Sequence, residues 1–153
     1  MREAKAVGWG IRPRGTPIGL QLARVSKTVG RAFNDALAEV GGSLPVWLIL
    51  TTLRGDAHPS QQQLARAVGI EGPTLTRHLD QLEAAELVRR VPHPDDRRAV
   101  RVEPTEAGLA LQGRMLEVVI AFNRRLTSGL TQKDLSHLRE LLEALEANVG
   151  DDD

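Results

Sequence analysis

The sequence has no cysteine and no tyrosine, and its 153 residues include only two tryptophans and two phenylalanines. The absence of cysteine excludes disulfides, thiolate zinc sites and a cysteine nucleophile. With so few aromatic side chains, the core has to be built from leucine, valine, isoleucine and alanine, which favours packed helices over an aromatic-rich β-sandwich. The chain also has no run of 18 apolar residues and no signal-peptide pattern at its N-terminus. We therefore expect a cytoplasmic protein without a membrane partner.

Catalytic and cofactor motifs are also lacking. The sequence contains no glycine-rich phosphate loop, no Ser/His/Asp set and no HExxH motif. The Gly8-Trp9-Gly10 fragment is not a nucleotide-binding loop, because no predicted strand precedes it and Pro13 stands where a third glycine would fall. The four histidines lie on different predicted elements, and none has a second ligand at metal spacing: His58, His78, His93 and His137. These observations predict a protein that is not an enzyme and has no cofactor.

Charge is balanced overall but unevenly distributed along the chain. The formal net charge is zero. Five arginines fall within thirteen residues and are opposed in that stretch only by Asp95 and Asp96: Arg89, Arg90, Arg97, Arg98 and Arg101. From Thr131 to the C-terminus acidic residues predominate. One basic end and one acidic end are typical of a DNA-binding chain with a separate region that does not face DNA.

Apolar spacing, capping residues and turn residues predict six helices and one β-hairpin, and the predicted capping residues are Ser43, Ser60, Thr105 and Thr131. The predicted helices span 17–39, 44–54, 60–68, 73–86, 105–126 and 131–149, and the predicted strands span 87–91 and 99–103. The helix at 44–54 is apolar on nearly every side, so we expect it to be buried all round.

The two helices at 60–68 and 73–86 fit, with their short turn, inside 27 residues, which is the size of a helix-turn-helix. On the second helix, leucines recur at the spacing of an inner face, and polar residues share the opposite face by the same spacing. The hairpin that follows carries two prolines, an Asp pair and two arginines in its connector, residues 92–98. This order of elements predicts a winged helix-turn-helix that reads duplex DNA.

Three segments resemble the MarR family of bacterial transcription regulators, and are most similar to its SlyA-like branch. They are residues 64–70 (LARAVGI), 74–83 (TLTRHLDQLE) and 95–108 (DDRRAVRVEPTEAG), and the resemblance covers residues 17–149. The sequence departs from the family at Glu86, where a glycine is usual, so we expect a less sharply turned helix end there. It departs again at Glu103-Pro104, which replaces the usual Leu-Thr lead-in to the next helix; Pro104 sits where the strand should end.

The resemblance implies a mainly α-helical fold with a small β-hairpin wing, assembled as a triangular homodimer through its N- and C-terminal helices. We accordingly divide the chain into a flexible arm (1–15), an N-terminal dimerisation helix (16–42), a winged helix-turn-helix DNA-binding domain (43–104), C-terminal dimerisation helices (105–149) and an acidic tail (150–153). The flanking helices carry more apolar surface than the central module could cover. That excess independently favours a second copy of the chain as the cover.

The second helix of the motif is expected to enter the major groove, where residues near its N-terminal end reach base edges. The candidates are Pro73, Thr74, Thr76, Arg77 and His78. Arg77 is the best suited, because a guanidinium can pair in bidentate fashion with guanine. Pro73 is expected to contact sugar, phosphate or a thymine methyl, as the resemblance implies.

The preceding helix and the wing are expected to hold the DNA backbone. Ser60 and Gln61 can donate to phosphate, helped by the positive end of their helix. Arg97 and Arg98 are expected to enter the flanking minor groove or to grip its phosphates, and the resemblance implies that Asp96 holds one of them. The alternative interpretation is a solvated helix face followed by an ordinary charged hairpin.

The resemblance also implies a pocket between the dimerisation helices and the winged helix for a small aromatic or lipophilic effector. Its expected lining is Leu20, Arg24, Trp47 and Ile49, with Arg24 as a carboxylate partner and Trp47 as a stacking wall. A tryptophan inside an apolar helix is more often core filler, so both interpretations of Trp47 stay open. The predicted function is a homodimeric, sequence-specific repressor of transcription. The alternative is an architectural or protein-association winged-helix module without a specific operator.

Overall fold

The computed structural model describes residues 15–55, 59–95, 98 and 100–150. Within these ranges the chain forms six helices and one antiparallel two-stranded hairpin. The elements, in chain order, are α1 (Ile18–Ala38), α2 (Leu44–Leu53), α3 (Gln61–Val68), α4 (Gly72–Ala84), β1 (Val88–Pro92), β2 (Val100–Pro104), α5 (Glu106–Leu126) and α6 (Gln132–Val149). This architecture confirms the predicted class, mainly α-helical with a small β-hairpin wing.

Two predicted segments fall largely outside the described residues. The N-terminal arm (1–15) is described only at Gly15, and the acidic tail (150–153) only at Gly150. The domain boundaries between them stay a prediction. None of the helices in the described ranges is long and apolar enough to cross a membrane.

The starts of four helices confirm the capping residues that the sequence predicts. Ser43 and Thr105 cap α2 and α5, and Ser60 and Thr131 begin α3 and α6 with complete capping boxes. In the last of these boxes, hydrogen bonds from the Thr131 hydroxyl and amide lower the pKa of Asp134. Each cap stabilises its helix by about 1 kcal/mol, so these boundaries follow from contacts within four residues of chain.

One apolar core joins the C-terminal end of α1, α2, α3, α4, the hairpin and the middle of α5. Its largest fully buried members are Leu37, Ile49, Leu50, Leu64, Leu75, Leu79, Val88, Val102 and Met115. Along α2, Ile49 and Leu50 are completely buried, whereas Val46, Trp47 and Leu48 are only half-buried against the same core. Thr51 is exposed and Thr52 is half-buried, so the prediction that this helix is buried all round is wrong, and only the face with Ile49, Leu50 and Leu53 is fully buried.

The end of α4 is sharply turned, so the expectation of a less sharp turn at Glu86 is wrong. Glu86 adopts the left-handed conformation, with φ of 57°. The Leu87 amide donates to the Leu82 carbonyl at 2.9 Å, and the Glu86 amide donates to the Glu83 carbonyl at 2.9 Å. This pair of bonds is a Schellman motif, whose left-handed residue is usually glycine. The Thr105 hydroxyl donates to the Glu86 carbonyl at 2.6 Å and helps to hold the turn, although an L side chain raises its energy.

Glu86→Gly is therefore expected to raise the free energy of unfolding by roughly 0.5–1 kcal/mol, because relief of the left-handed strain outweighs the added entropy of a glycine in the unfolded chain. Chemical denaturation followed by circular dichroism measures the difference. The matched control is Ala85→Gly, one residue earlier, where φ is −86° and no strain is relieved. The control is expected to destabilise the protein, and a destabilised Glu86→Gly variant would contradict the prediction.

Candidate nucleic-acid interface

One side-chain hydrogen bond joins the two helices of the central motif. The Gln61 amide nitrogen donates to the Thr76 hydroxyl at 2.6 Å, and that hydroxyl donates to the Gly72 carbonyl at 3.0 Å. The Thr76 hydroxyl hydrogen and one Gln61 amide hydrogen are thus already used inside the motif. The predicted base contact of Thr76 and phosphate contact of Gln61 stay predictions, and each competes with an internal bond.

Ser60, for which the sequence predicts a phosphate contact, caps the start of α3. Its hydroxyl oxygen accepts from the Gln63 amide at 3.2 Å, and its backbone forms an isolated β-bridge with Arg101 of the wing. A serine hydroxyl that accepts still has its own hydrogen to donate. The cap therefore leaves Ser60 able to play the predicted role.

The outer face of α4 carries the predicted base-reading residues. Leu75, Leu79 and Leu82 are buried on the inner face, as their spacing predicts. On the outer side Pro73 and Arg77 are exposed, and Thr74 and His78 are half-buried. Among the residues that the structure describes, none makes a hydrogen bond or an ion pair with Arg77. Its guanidinium is consequently available to a ligand outside the chain.

The wing is only partly described. Its strands pair antiparallel, with Arg89 opposite Glu103 and Val91 opposite Arg101. At the tip, the Asp95 amide donates to the His93 Nδ1 nitrogen at 3.2 Å, and Arg98 is exposed in the turn. Asp96 and Arg97 lie outside the described residues, so their predicted DNA contacts stay predictions.

The structure corrects the interpretation of the arginine cluster as opposed only by Asp95 and Asp96. Arg89 pairs with Glu103 at 3.0 Å, and Arg101 pairs with the same carboxylate from the other side. Arg90 pairs with Asp80 and Glu83 of α4. For Arg89 and Arg90 the reason is geometric, because their acidic partners come from the opposing strand and from α4, which linear spacing does not bring next to them. Arg101 and Glu103 lie two residues apart on one face of β2, just beyond the stretch in which the arginines cluster.

Arg90 is held by α4 through three hydrogen bonds. Its Nη1 donates to Glu83 Oε2 at 2.6 Å, its Nη2 donates to Asp80 Oδ1 at 2.7 Å, and its backbone amide donates to Glu83 Oε1 at 3.1 Å. The side-chain and backbone bonds from Arg90 lower the pKa of Glu83 below its usual value of 4.5. Both carboxylate oxygens of Glu83 are therefore engaged by one residue of β1. We call Asp80, Glu83 and Arg90 the Arg90 clamp.

Sequence patterns alone do not predict this clamp. Asp80 and Glu83 belong to a segment that resembles the family, and Arg90 is one of five clustered arginines. The available signal was the three-residue spacing of the two acids, which places them on one helix face. Nothing in the sequence indicates that the chain turns back after Glu86 to bring Arg90 to that face.

The predicted effector-binding residues are not brought together in the single chain. Leu20 is 65% exposed on α1, and Ile49 is 0% exposed in the core. Arg24 is exposed on α1, and Trp47 packs half-buried against the core, as expected of core filler. A separate apolar cleft of about 380 Å³ lies between α1 and α5, and its lining includes Val29, Phe33, Leu44, Val119 and Phe122.

Comparison with known proteins agrees with this geometry. The family model described as MarR family matches residues 43–100. The HTH-type transcriptional regulator PecS of Dickeya dadantii (strain 3937) is 35% identical over 131 residues, which are 84% of this chain and 79% of PecS. A crystal structure of a mutant MarR from E. coli complexed with operator DNA matches with a TM-score of 0.77 and 27% identity, over 84% of this chain and 93% of that chain. The transcriptional repressor CouR, bound to a 23-mer DNA duplex, matches with a TM-score of 0.77 and 27% identity, over 84% and 92% of the two chains.

These relatives are transcription regulators, in agreement with the prediction that the protein is not an enzyme. The similarity to PecS extends well beyond the central motif, and the winged helix observed here has the same fold as two proteins solved on DNA. The chain therefore belongs to the MarR family of transcription regulators, as the resemblance of its sequence predicts.

Proposed function

We propose that this protein is a homodimeric repressor that binds a pseudo-palindromic DNA operator. The observation that carries the proposal is the two-sided character of α4. Its inner leucines are buried, while Arg77 on its outer side is exposed and unpaired among the described residues. A helix anchored on one face, with an exposed guanidinium on the other, can enter a major groove, where Arg77 would pair with the N7 and O6 atoms of a guanine.

Contacts from residues around α4 to the DNA backbone would then fix the position of the protein along the duplex. Ser60 is placed to donate to a phosphate at the positive end of α3. On the wing, Arg97 and Arg98 would grip the flanking minor groove, with Asp96 orienting one of them. Arg89, Arg90 and Arg101 are left out of this set, because carboxylates of the same chain already pair with them.

A homodimer is supported by apolar surface that the single chain leaves uncovered. In α6 no residue is buried, although its leucines form a regular stripe. Leu138, Leu141 and Leu142 are 41–52% exposed. Together with Ile18 and Leu22 of α1 they line an almost wholly apolar cleft. Apolar patches of this kind are covered in stable proteins, and a second copy of the chain is the cover that gives two winged helices related by two-fold symmetry.

We still propose a small aromatic or lipophilic effector, but at a different site from the one that the sequence predicts. Ile49 is enclosed in the core and Leu20 is exposed on α1, so these two do not form one wall in the single chain. The cleft between α1 and α5 is apolar and is lined by Phe33 and Phe122, whose rings lie 5.0 Å apart. An aromatic or lipophilic compound could contact both rings there, next to the helices proposed to form the dimer.

The experiment that tests the proposed function is selection of duplexes from a random library with the purified protein. We expect a palindromic consensus whose half-sites lie about one helical turn apart, bound by two chains as measured by sedimentation. Affinity for the selected duplex is expected to fall steeply with salt, because phosphate contacts release counterions. A folded protein that enriches no sequence over random DNA would favour the architectural or protein-association alternative instead.

A further inference from the structure

The attachment of α4 to the rest of the winged helix combines two kinds of contact. The inner leucines, Leu75, Leu79 and Leu82, are buried in the apolar core. Apolar burial stabilises the helix but is non-directional, so by itself it constrains sliding and rotation of α4 only loosely. The Arg90 clamp adds directional contacts, since a planar guanidinium and two carboxylates form charge-assisted bonds with narrow geometry.

The clamp connects the two parts of the motif that would touch DNA. Asp80 and Glu83 belong to the C-terminal half of α4, and Arg90 lies in the middle of β1, the first strand of the wing. The Arg90 side chain is 24% exposed. Because both terminal nitrogens and the backbone amide of Arg90 are bonded to α4, the clamp sets the position of the helix relative to the hairpin.

Asp80 and Glu83 of the Arg90 clamp are expected to lower the affinity of the winged helix for DNA. Negative side chains near phosphate lower affinity for every sequence, as added positive charge raises it. Asp80 is 60% exposed and Glu83 is 41% exposed, so their charges are not hidden from solvent. Their hydrogen bonds to Arg90 give Asp80 and Glu83 a structural role that can offset this loss of affinity.

We propose that Arg90 is a positioning residue that fixes the angle and height of α4 against the wing, and so determines sequence specificity without touching DNA. The inference rests on the proposed function, because it concerns how α4 is presented to an operator. Arg77 reads the base, and Arg90 holds the helix that carries Arg77. Glu83 and Asp80 act through Arg90.

The decisive variant is Glu83→Gln, since positioning and simple electrostatics predict opposite signs. Loss of a negative charge alone would tighten binding to all DNA. Loss of the clamp is expected to weaken binding to the selected operator by about tenfold, the scale of one lost charge-assisted hydrogen bond, while binding to a scrambled duplex is unchanged or tighter. Arg90→Lys is expected to weaken operator binding to a similar extent, because an ammonium keeps the charge but lacks the planar guanidinium that binds two carboxylates.

A double-mutant cycle and a salt titration complete the experiment. Glu83→Gln combined with Arg90→Lys is expected to bind the operator no more weakly than the weaker single variant, because both changes remove one coupled contact. The slope of affinity against salt is expected to be the same for the neutral variant Arg90→Gln and the original protein, since no phosphate contact is lost. The control is Glu117→Gln on α5, which removes an exposed negative charge far along the chain from the motif.

Three results would overturn the positioning role. They are tighter binding of Glu83→Gln to operator and scrambled DNA alike, additive losses in the double variant, and a salt slope reduced by about one ion for Arg90→Gln. Amide hydrogen exchange of the protein without DNA distinguishes failure of the positioning role from failure of the proposed function. If the clamp holds the helix, Glu83→Ala, which removes both acceptor oxygens, speeds exchange of the Arg90 amide whether or not an operator exists, and unchanged exchange would refute the clamp itself. A protein with no sequence preference would refute the proposed function, and the specificity role with it.

Discussion

Gly108→Ala is expected to lower the free energy of unfolding by about 3 kcal/mol, the upper end of the usual cost of overpacking. A Cβ atom at this position would lie 2.0 Å from the carbonyl oxygen of Leu87 and 3.0 Å from its carbonyl carbon. Neither atom can move aside by a change of rotamer, because both belong to the backbone. The same oxygen accepts from the Thr105 amide at 3.0 Å, so displacing it also disturbs the start of α5.

Urea denaturation of the variant, followed by circular dichroism, measures the effect. Gly113→Ala is the matched control, since it lies in the same helix and its Cβ would meet no atom within 4 Å. The control is expected to be neutral or to stabilise the protein by up to about 1 kcal/mol, because alanine favours helix over glycine. Equal stabilities of the two variants would show that the close approach at Gly108 is not a constraint.

Arg77→Ala is expected to remove most of the sequence preference while the protein stays folded. A bidentate contact to guanine contributes roughly 1–3 kcal/mol of discrimination per half-site. A dimer that loses both contacts is therefore expected to bind its selected operator at least about 30-fold more weakly. Its affinity for scrambled DNA should change much less, because Arg77 is proposed to contact bases rather than phosphates.

Competition titrations with selected and scrambled duplexes measure this ratio. Arg77→Lys tests the chemistry, since it retains the charge but cannot form the bidentate pair; we expect it to lose specificity nearly as completely. Arg139→Ala removes an exposed arginine from α6 and is expected to leave the ratio unchanged. Equal loss of specific and scrambled binding in Arg77→Ala would make Arg77 a phosphate contact and remove it from base reading.

The sequence predicted the local elements closely. Pro17 and the glycines after Val40 bracket α1, which spans Ile18–Ala38 against a predicted 17–39. The strands were predicted one residue too early, at 87–91 and 99–103, whereas they span Val88–Pro92 and Val100–Pro104. The shift arises because Leu87 closes the Schellman turn after α4 and is not free to begin the strand.

The candidate site was predicted in part. The outward face of α4 and the inward leucines followed from helical spacing, and the structure places Arg77 and Pro73 on the exposed side. The sequence did not predict the ion pairs of Arg89, Arg90 and Arg101. It therefore overestimates the unpaired positive charge on the described part of the hairpin. An arginine count along the chain measures local density of charge, but the field at a surface depends on which carboxylates fold next to it.

By itself, the sequence determined the features that depend on neighbours within a few residues. The capping boxes at Ser60 and Thr131, the leucine stripe of α4 and the winged order of elements all belong to this class, and so does the resemblance to the MarR family. Such features are encoded locally because a helical residue contacts others three and four positions away.

Only the tertiary structure decided the left-handed turn at Glu86, the close approach at Gly108 and the Arg90 clamp. Each of these depends on the return of the chain through the hairpin into α5 and on the packing of Val88 and Val102 into the shared core. Contacts between residues distant in the chain follow from this packing, which no local pattern of residues contains.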